Sequence, residues 1–474
     1  LKIIDRSGKI LVMRPDNTTP IARVAAALLR KDSDPLRFYY NQTVFRSDSE
    51  HHGSESEIPQ CGVELIGVNG IGSDIEVIVT AIEAIKAVGI SEFYIELGHA
   101  GFFKALAEEL GAGEEVIEQV RNCIERKKFA ALGEILTPYR SNPAAEAMMQ
   151  LSHLFGDAVV LEQARELSSN QKAQEAADYL AKLYEELCSR GYGDRIRFDL
   201  GLVHQIDYYT GVVFRGYARG AADSVLSGGR YDNLLSFFGT PAPATGFAIS
   251  TTAVEEGLRA EEVGGKTRMK IAITKGRLLK DSIGMFEKMG FDCEEVKNPG
   301  RKLVVGIGNY DMDVVMSKAP DVITYVENGV CDLGIVGRDT ILENGNSFYE
   351  VLDLGFGKCR FALAVGKGED FYGTYKNRRV ASKYPNVAKR YFAEKGMDVS
   401  VIKIEGSVEL APLLGLADGI VDIVETGSTL AANGLEPVET LYDISARLIV
   451  NTASMKLYRD EILDFIKRCE ETLE

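Results

Sequence analysis

Between residues 173 and 187, small or apolar side chains recur at Ala173, Ala176, Ala177, Leu180, Leu183, Tyr184 and Leu187, with Gly191 beyond the last of them. That spacing is one helical face, so the pattern predicts a helix packed along one side. Further on the period changes. Apolar runs at 270–274, 331–336, 361–365, 399–404, 420–424 and 447–451 alternate with helical stretches, which predicts parallel α/β units. Between these regions AEEVGGKTR at 260–268 is polar and carries a Gly-Gly pair, after which Met269 opens a strand-like KIAIT. We read it as a linker between two units. The acidic stretch 461–474 reads as the exposed face and end of a final helix.

One segment carries chemistry. In DGIVDIVETGSTL at 418–430, an apolar run with acidic side chains leads into a turn of Thr426, Gly427, Ser428 and Thr429. Small residues let successive backbone N–H groups converge on an anion, and the hydroxyls add donors. Asp422 and Glu425 would repel a bare phosphate. They suit a sugar phosphate, whose ribose hydroxyls need acceptors while its phosphate needs donors.

The chain has 474 residues, 45% hydrophobic and 26% charged, which is ordinary globular usage and more than one core usually serves. A net charge of −16 argues against a nucleic-acid surface, because a phosphate backbone is held by clustered Lys and Arg. Seven cysteines without a C-x-x-C pair point to reduced thiols and a cytoplasmic setting rather than a disulfide framework or zinc knuckle. No apolar run approaches the length of a membrane span. The residues after Met269 include no histidine, so a His general base or His metal ligand is excluded there. His51 and His52 read as loop residues, and GVNGIG at 67–72 as a turn without the strand-to-helix setting of a dinucleotide site.

From Met269 onward the sequence resembles the short form of the ATP phosphoribosyltransferase family. The resemblance rests on MKIAITKGRL (269–278), GRKLVV (300–305), SKAPDVITYVENGVCDLGIVGRD (317–339), KYPNVAKRYF (383–392), GSVELAPLLGLADGIVDIVETGSTLAANGL (406–435) and DISARLIVN (443–451). It implies that N1 of ATP attacks the anomeric carbon of phosphoribosyl pyrophosphate, with magnesium carried on the substrates and no metal held by the protein. Thr426, Gly427, Ser428 and Thr429 would hold the 5-phosphate and Asp422 the ribose, with Glu409, Asp418 and Glu425 nearby. Lys275, Gly276, Arg277, Arg301 and Lys318 would meet the anionic groups. Lys275, Arg277 and Asp422 are the expected catalytic residues. The implied fold is a pair of α/β lobes like those of periplasmic binding proteins, lobe I taking 269–360 and 447–474 and lobe II 361–446.

Residues from about 10 to 255 have their own resemblance, to the histidyl-tRNA synthetase core and to the synthetase-related regulatory subunit of short-form ATP phosphoribosyltransferases. It rests on LVMRPDNTTPIAR (11–23), YYNQTVFRSD (39–48), QCGVELIG (60–67), DYYTGVVF (207–214) and GGRYDNLL (228–235). This implies a class II antiparallel sheet with helices over 1–259, its earliest part missing, which leaves the dimer interface open. A histidine pocket follows from the residue types: Asp16, Glu64 and Gln60 for the amino group and imidazole, Arg46 for the carboxylate, and Thr18, Tyr208, Tyr209 and Tyr231 for hydroxyls and ring walls.

The departures from that family are informative. His204 and Ala253 stand where the synthetases have catalytic arginines, HHGSESEIP at 51–59 replaces an arginine-rich segment, and no anticodon-binding domain follows Leu258. A pocket that binds histidine without activating it is a sensor. The expected protein is therefore an oligomeric ATP phosphoribosyltransferase with histidine as feedback inhibitor. A histidyl-tRNA synthetase and a non-catalytic solute-binding module are the competing classes, separated by whether pyrophosphate release requires both ATP and phosphoribosyl pyrophosphate.

Overall fold

The structure, a computed structural model, describes residues 2–29, 35–46, 56–203, 209–263, 268–345, 347–373 and 377–473. The chain forms two compact units: Leu1–Thr267 with Phe348–Glu350 and Asn451–Leu463, and Arg268–Ser347 with Val351–Val450 and Asp464–Glu474. The sequence expectation had placed all of 447–474 with the first transferase lobe. Instead, 451–463 folds with the first unit.

An eight-stranded sheet forms the centre of the first unit, in the order Leu36–Phe45, Glu57–Ile66, Ala244–Ser250, Leu226–Arg230, Val212–Ala218, Phe93–His99, Ile196–Asp199, Phe155–Gly156. It is antiparallel apart from Phe93–His99, which runs parallel to Ile196–Asp199. Helix Ile71–Val88 buries Ile75, Ile78, Ile82 and Ile85 on one face of it. The predicted helix is Gln171–Ser189, capped by Asn170, whose side-chain oxygen accepts the N–H groups of Lys172 and Ala173. Of its predicted face, Ala173, Ala176, Ala177, Leu180, Leu183 and Leu187 are buried, and Gly191 takes φ of 81° beyond its end. The GVNGIG stretch contains the turn expected, with Gly67 and Gly70 at positive φ, but it joins strand Glu57–Ile66 directly to helix Ile71–Val88, so, contrary to the sequence expectation, the strand-to-helix setting is present.

Helix Thr251–Val263 runs through the first part of the expected linker. Its alanine, glutamate and leucine content outweighs the polarity that suggested a connection.

Two sheets make the second unit. One has the order Val304–Gly306, Met312–Ser317, Met269–Thr274, Leu333–Gly337, Ala446–Val450, Tyr349–Asp353, and the other Val399–Lys403, Arg378–Ser382, Gly419–Val424, Cys359–Gly366, Leu435–Ile444. All six expected strands are present. The sheets are mixed rather than parallel, because Ala446–Val450 returns antiparallel to Leu333–Gly337 and Cys359–Gly366 lies antiparallel to both its neighbours. The final helix is Arg459–Leu473, with Ile462, Phe465 and Cys469 buried beneath its acidic face.

Candidate functional site

In the second unit, strand Met269–Thr274 ends in an exposed turn of Lys275 and Gly276 before helix Arg277–Lys288. Gly276 takes φ of 94°, a conformation that a side chain would strain. The lysine N–H donates to the carbonyl of Ser317 at 2.9 Å, which ties this turn to the neighbouring strand. From the other sheet, Gly419–Val424 delivers Asp422 and then the turn Glu425 to Thr429. Gly427 sits in the left-handed region with φ of 79°, and the hydroxyls of Thr426 and Ser428 lie 3.0 Å apart. The two segments meet directly: Arg277 donates to Glu425 at 2.7 Å, with both side chains about half exposed.

Asp422 is partly buried, and burial pushes its carboxyl above the usual range, with Glu409 adding to the effect and Lys383 opposing it. Its Oδ1 accepts the Ile423 N–H at 2.8 Å. Glu409 thus acts on Asp422 through its charge. Asp418 does not join them. It precedes the opposite end of the strand, accepts the Arg379 N–H at 2.8 Å, and is separated from Glu425 by roughly 23 Å of extended chain. Lys318 is exposed at the start of helix Ala319–Glu327, and Arg301 is exposed in a turn.

Two further groups gather here that the sequence reading did not single out. Tyr384 donates to Asp339 at 3.4 Å, and Asp339, partly buried at the start of helix Arg338–Asn344, has its carboxyl raised by that desolvation. Burial also raises the Tyr384 phenol, and Asp339 and Asp422 push it further, so Tyr384 stays a neutral donor. The available signal was their place in the VGRD and KYPN stretches, each at a strand-to-helix turn. Among the described residues no group of three His, Cys, Asp or Glu side chains is placed to hold a metal ion. No described helix is long and apolar enough to cross a membrane.

In the first unit, Glu64 sits on the strand Glu57–Ile66 and is only 1% exposed. Thr18 donates to its Oε1 at 2.7 Å and Tyr231 donates to Oε2. Burial raises its carboxyl to about 7 against those two hydrogen bonds, and Asp16 raises it further. Gln60 and Glu64 share a face of this strand by its two-residue period, and Gly246 lies directly across from Glu64. A Cβ at Gly246 would overlap the Glu64 carboxylate and the Val63 carbonyl oxygen. At Gly229 it would come within 2.7 Å of the Tyr209 ring. Tyr209 and Tyr231 are buried in one apolar cluster.

Asp16 is turned to the helix, accepting the Thr19 N–H at 2.7 Å. Arg46 is exposed and donates to the Pro15 carbonyl at 3.1 Å. Tyr208, with His51, His52 and His204, lies outside the described residues.

Known proteins resemble both units. The family model for ATP phosphoribosyltransferase matches residues 318–471, and that for histidyl-tRNA synthetase matches 1–254. An ATP phosphoribosyltransferase from Clostridium kluyveri is 57% identical over 206 residues, which is 44% of this chain and 94% of the relative. One from Clostridium acetobutylicum is 54% identical over 206 residues, 44% of this chain and 96% of the relative. The chain belongs to the ATP phosphoribosyltransferase family. Its first unit belongs equally to the histidyl-tRNA synthetase family, whose model covers more than half of the chain. The solved structure described as an ATP phosphoribosyltransferase regulatory subunit/histidyl-tRNA synthetase from Bacillus halodurans C matches with a TM-score of 0.50 at 32% identity, over 69% of this chain and 80% of that one. A pentosyltransferase of histidine biosynthesis is thus joined in one chain to a class II synthetase-like regulatory part. Within the transferase, the paired Arg277 and Glu425 mark where the KGR turn and the hydroxyl-rich turn face each other.

Proposed function

We propose that the second unit binds phosphoribosyl pyrophosphate between the KGR turn and the 426–429 turn, and directs N1 of ATP onto its anomeric carbon. The observation that carries this reading is the Arg277–Glu425 pair, which unites the basic and the hydroxyl-rich segments at one place. Thr426, Ser428 and Thr429 supply donors to the 5-phosphate. Asp422 and Glu409 accept ribose hydroxyls, and Lys275 and Arg277 neutralise the departing pyrophosphate together with the magnesium carried on it. Arg277 must leave Glu425 to do this, and an anionic substrate favours that exchange. Lobes resembling those of periplasmic binding proteins would exclude water as they close.

The first unit we read as a histidine sensor. The ligand's amino group or imidazole would meet Glu64, with Tyr209 and Tyr231 as walls. Ala253 and His204, standing in place of two arginines, support binding without activation. The active protein is proposed to be a cytoplasmic homo-oligomer.

Steady-state kinetics test the catalytic part. Thr429→Ala and Arg277→Ala should each weaken phosphoribosyl transfer by about 1.5–3 kcal/mol, the usual loss for a hydrogen bond to a charged group. Pyrophosphate release should require both substrates, and unchanged kinetics in both variants would sink the site.

A further inference from the structure

Four charges lie buried together in the first unit, and neither proposed site uses them. Lys127, fully buried, donates to both carboxylate oxygens of Asp199 at 3.0 and 2.8 Å. Lys456 donates to Asp199 at 2.5 Å and to Glu96 at 2.8 Å. Both ammonium groups also lie over the ring of Phe155, at 4.6 and 4.7 Å from its centre. Two carboxylates and two ammonium groups neutralise one another, so removing one leaves a buried charge without its counterpart. Lys456 is the unexpected member. It belongs to the transferase sequence, within Asn451–Leu463, yet it is built into the first unit, where Asn451 also donates to the Ala222 carbonyl at 3.1 Å.

Asp199 faces two ways. Its carboxylate holds Lys456, and it also accepts the Gly201 N–H at 2.8 Å, while its carbonyl accepts the Leu202 N–H at 3.1 Å. Leu202 in turn packs in one buried cluster with Tyr209 and Tyr231, the walls of the Glu64 pocket. This turn has no slack: a Cβ at Gly98 would come within 2.7 Å of the Asp199 carbonyl and 3.0 Å of the Leu202 side chain. Close packing of this kind gives a shift of the tyrosines a contiguous path to Asp199. At the other end, Asn451 follows without a break from strand Ala446–Val450 of the second unit's six-stranded sheet.

We propose that Asn451–Leu463 is the output of the regulatory unit: a ligand seated on Tyr209 and Tyr231 acts through Leu202 and Asp199 on Lys456, and so on the strand Ala446–Val450. This rests on the histidine-sensing reading and names its route. Asp199 and Lys456 are positioning residues. Neither touches a substrate.

The test uses the full chain. Histidine binding is measured by calorimetry, and its effect on ATP affinity is measured in parallel for the native protein, Lys456→Met and Lys456→Arg. The expected result for Lys456→Met is a histidine Kd within about threefold of native, with the change in ATP affinity, about five- to 150-fold for a typical coupling, falling to near unity. Lys456→Arg keeps the charge and should keep most of the coupling. Undiminished coupling in a folded Lys456→Met overturns the proposal. Should Lys456→Met fail to fold, hydrogen exchange on the native protein decides: histidine must alter protection in 451–457, and unaltered protection overturns the route. A native protein that binds no histidine refutes the sensor reading itself, which is a different result from binding without transmission.

Discussion

At the scale of single residues, Glu64 makes the sharpest prediction. Its carboxyl is raised to about 7 in the folded protein against an ordinary 4.5, mainly by burial. Folding therefore favours the protonated form. That contribution is fully present below pH 4.5 and is lost as the pH rises through 7, on the order of 3 kcal/mol for a shift of this size. Glu64→Gln cannot ionise, so we expect the native protein to lose stability relative to this variant between pH 5 and 8, as read by denaturant midpoints of the first unit. The same variant should weaken histidine binding, because Gln cannot offer a charged acceptor. Glu425 gives the second residue prediction. Since it holds Arg277 through an exposed ion pair, Glu425→Ala should free the arginine and change the KM for phosphoribosyl pyrophosphate more than kcat. An unchanged KM with a lowered kcat would mean that Glu425 serves the transition state instead.

At the scale of elements, the neighbouring strands Glu57–Ile66, Ala244–Ser250 and Leu226–Arg230 form a floor that depends on glycine. Gly246 pairs with Gly229 on one side and with Glu64 on the other. Gly246→Ala forces its methyl onto the Val63 carbonyl, which is backbone, and onto the Glu64 carboxylate, which Thr18 and Tyr231 hold in place, and overpacking of this kind typically costs about 1–3 kcal/mol. We expect a lower melting temperature for the first unit and a histidine affinity reduced at least as much as in Glu64→Gln. A variant with native stability and affinity would show that the strands separate easily. The strand Gly419–Val424 teaches a different lesson. Asp418, Asp422 and Glu425 looked alike in sequence as acids around one turn. Strand geometry decides among them, because an extended chain carries its two ends apart: Asp422 and Glu425 lie at the turn, while Asp418 caps the far end on Arg379.

At the scale of the whole molecule, one chain joins a transferase of histidine biosynthesis with a synthetase-like regulatory unit. End-product control is the economical reading, and histidine should inhibit the full chain, with Glu64→Gln raising the concentration required. An inhibitor at a separate site acts only by binding the less active state more tightly. A fragment beginning at Met269 should lose this sensitivity. It should also lose stability, because Lys456 and its neighbours would be stripped of Glu96, Asp199 and Phe155. An active fragment inhibited at the intact protein's concentration would refute the sensor.

Local rules alone determined much of this protein. Helical spacing marked Gln171–Ser189, apolar runs marked six strands of the second unit, and a small-residue turn marked Thr426–Thr429, while the Lys275–Arg277 segment was marked by the family resemblance. These features depend on neighbours in the chain, so the order of residues contains them. Tertiary structure alone decided the rest. Arg277 and Glu425 are 148 positions apart, Tyr384 and Asp339 are 45 apart, and Lys456 reaches Glu96 across 360. Strand direction in the mixed sheets and the placement of Asn451–Leu463 in the first unit belong to the same class. Burial raised Glu64 and Asp339 and drew the four buried charges together, and burial is a property of distant segments closing over a group, which no local pattern records.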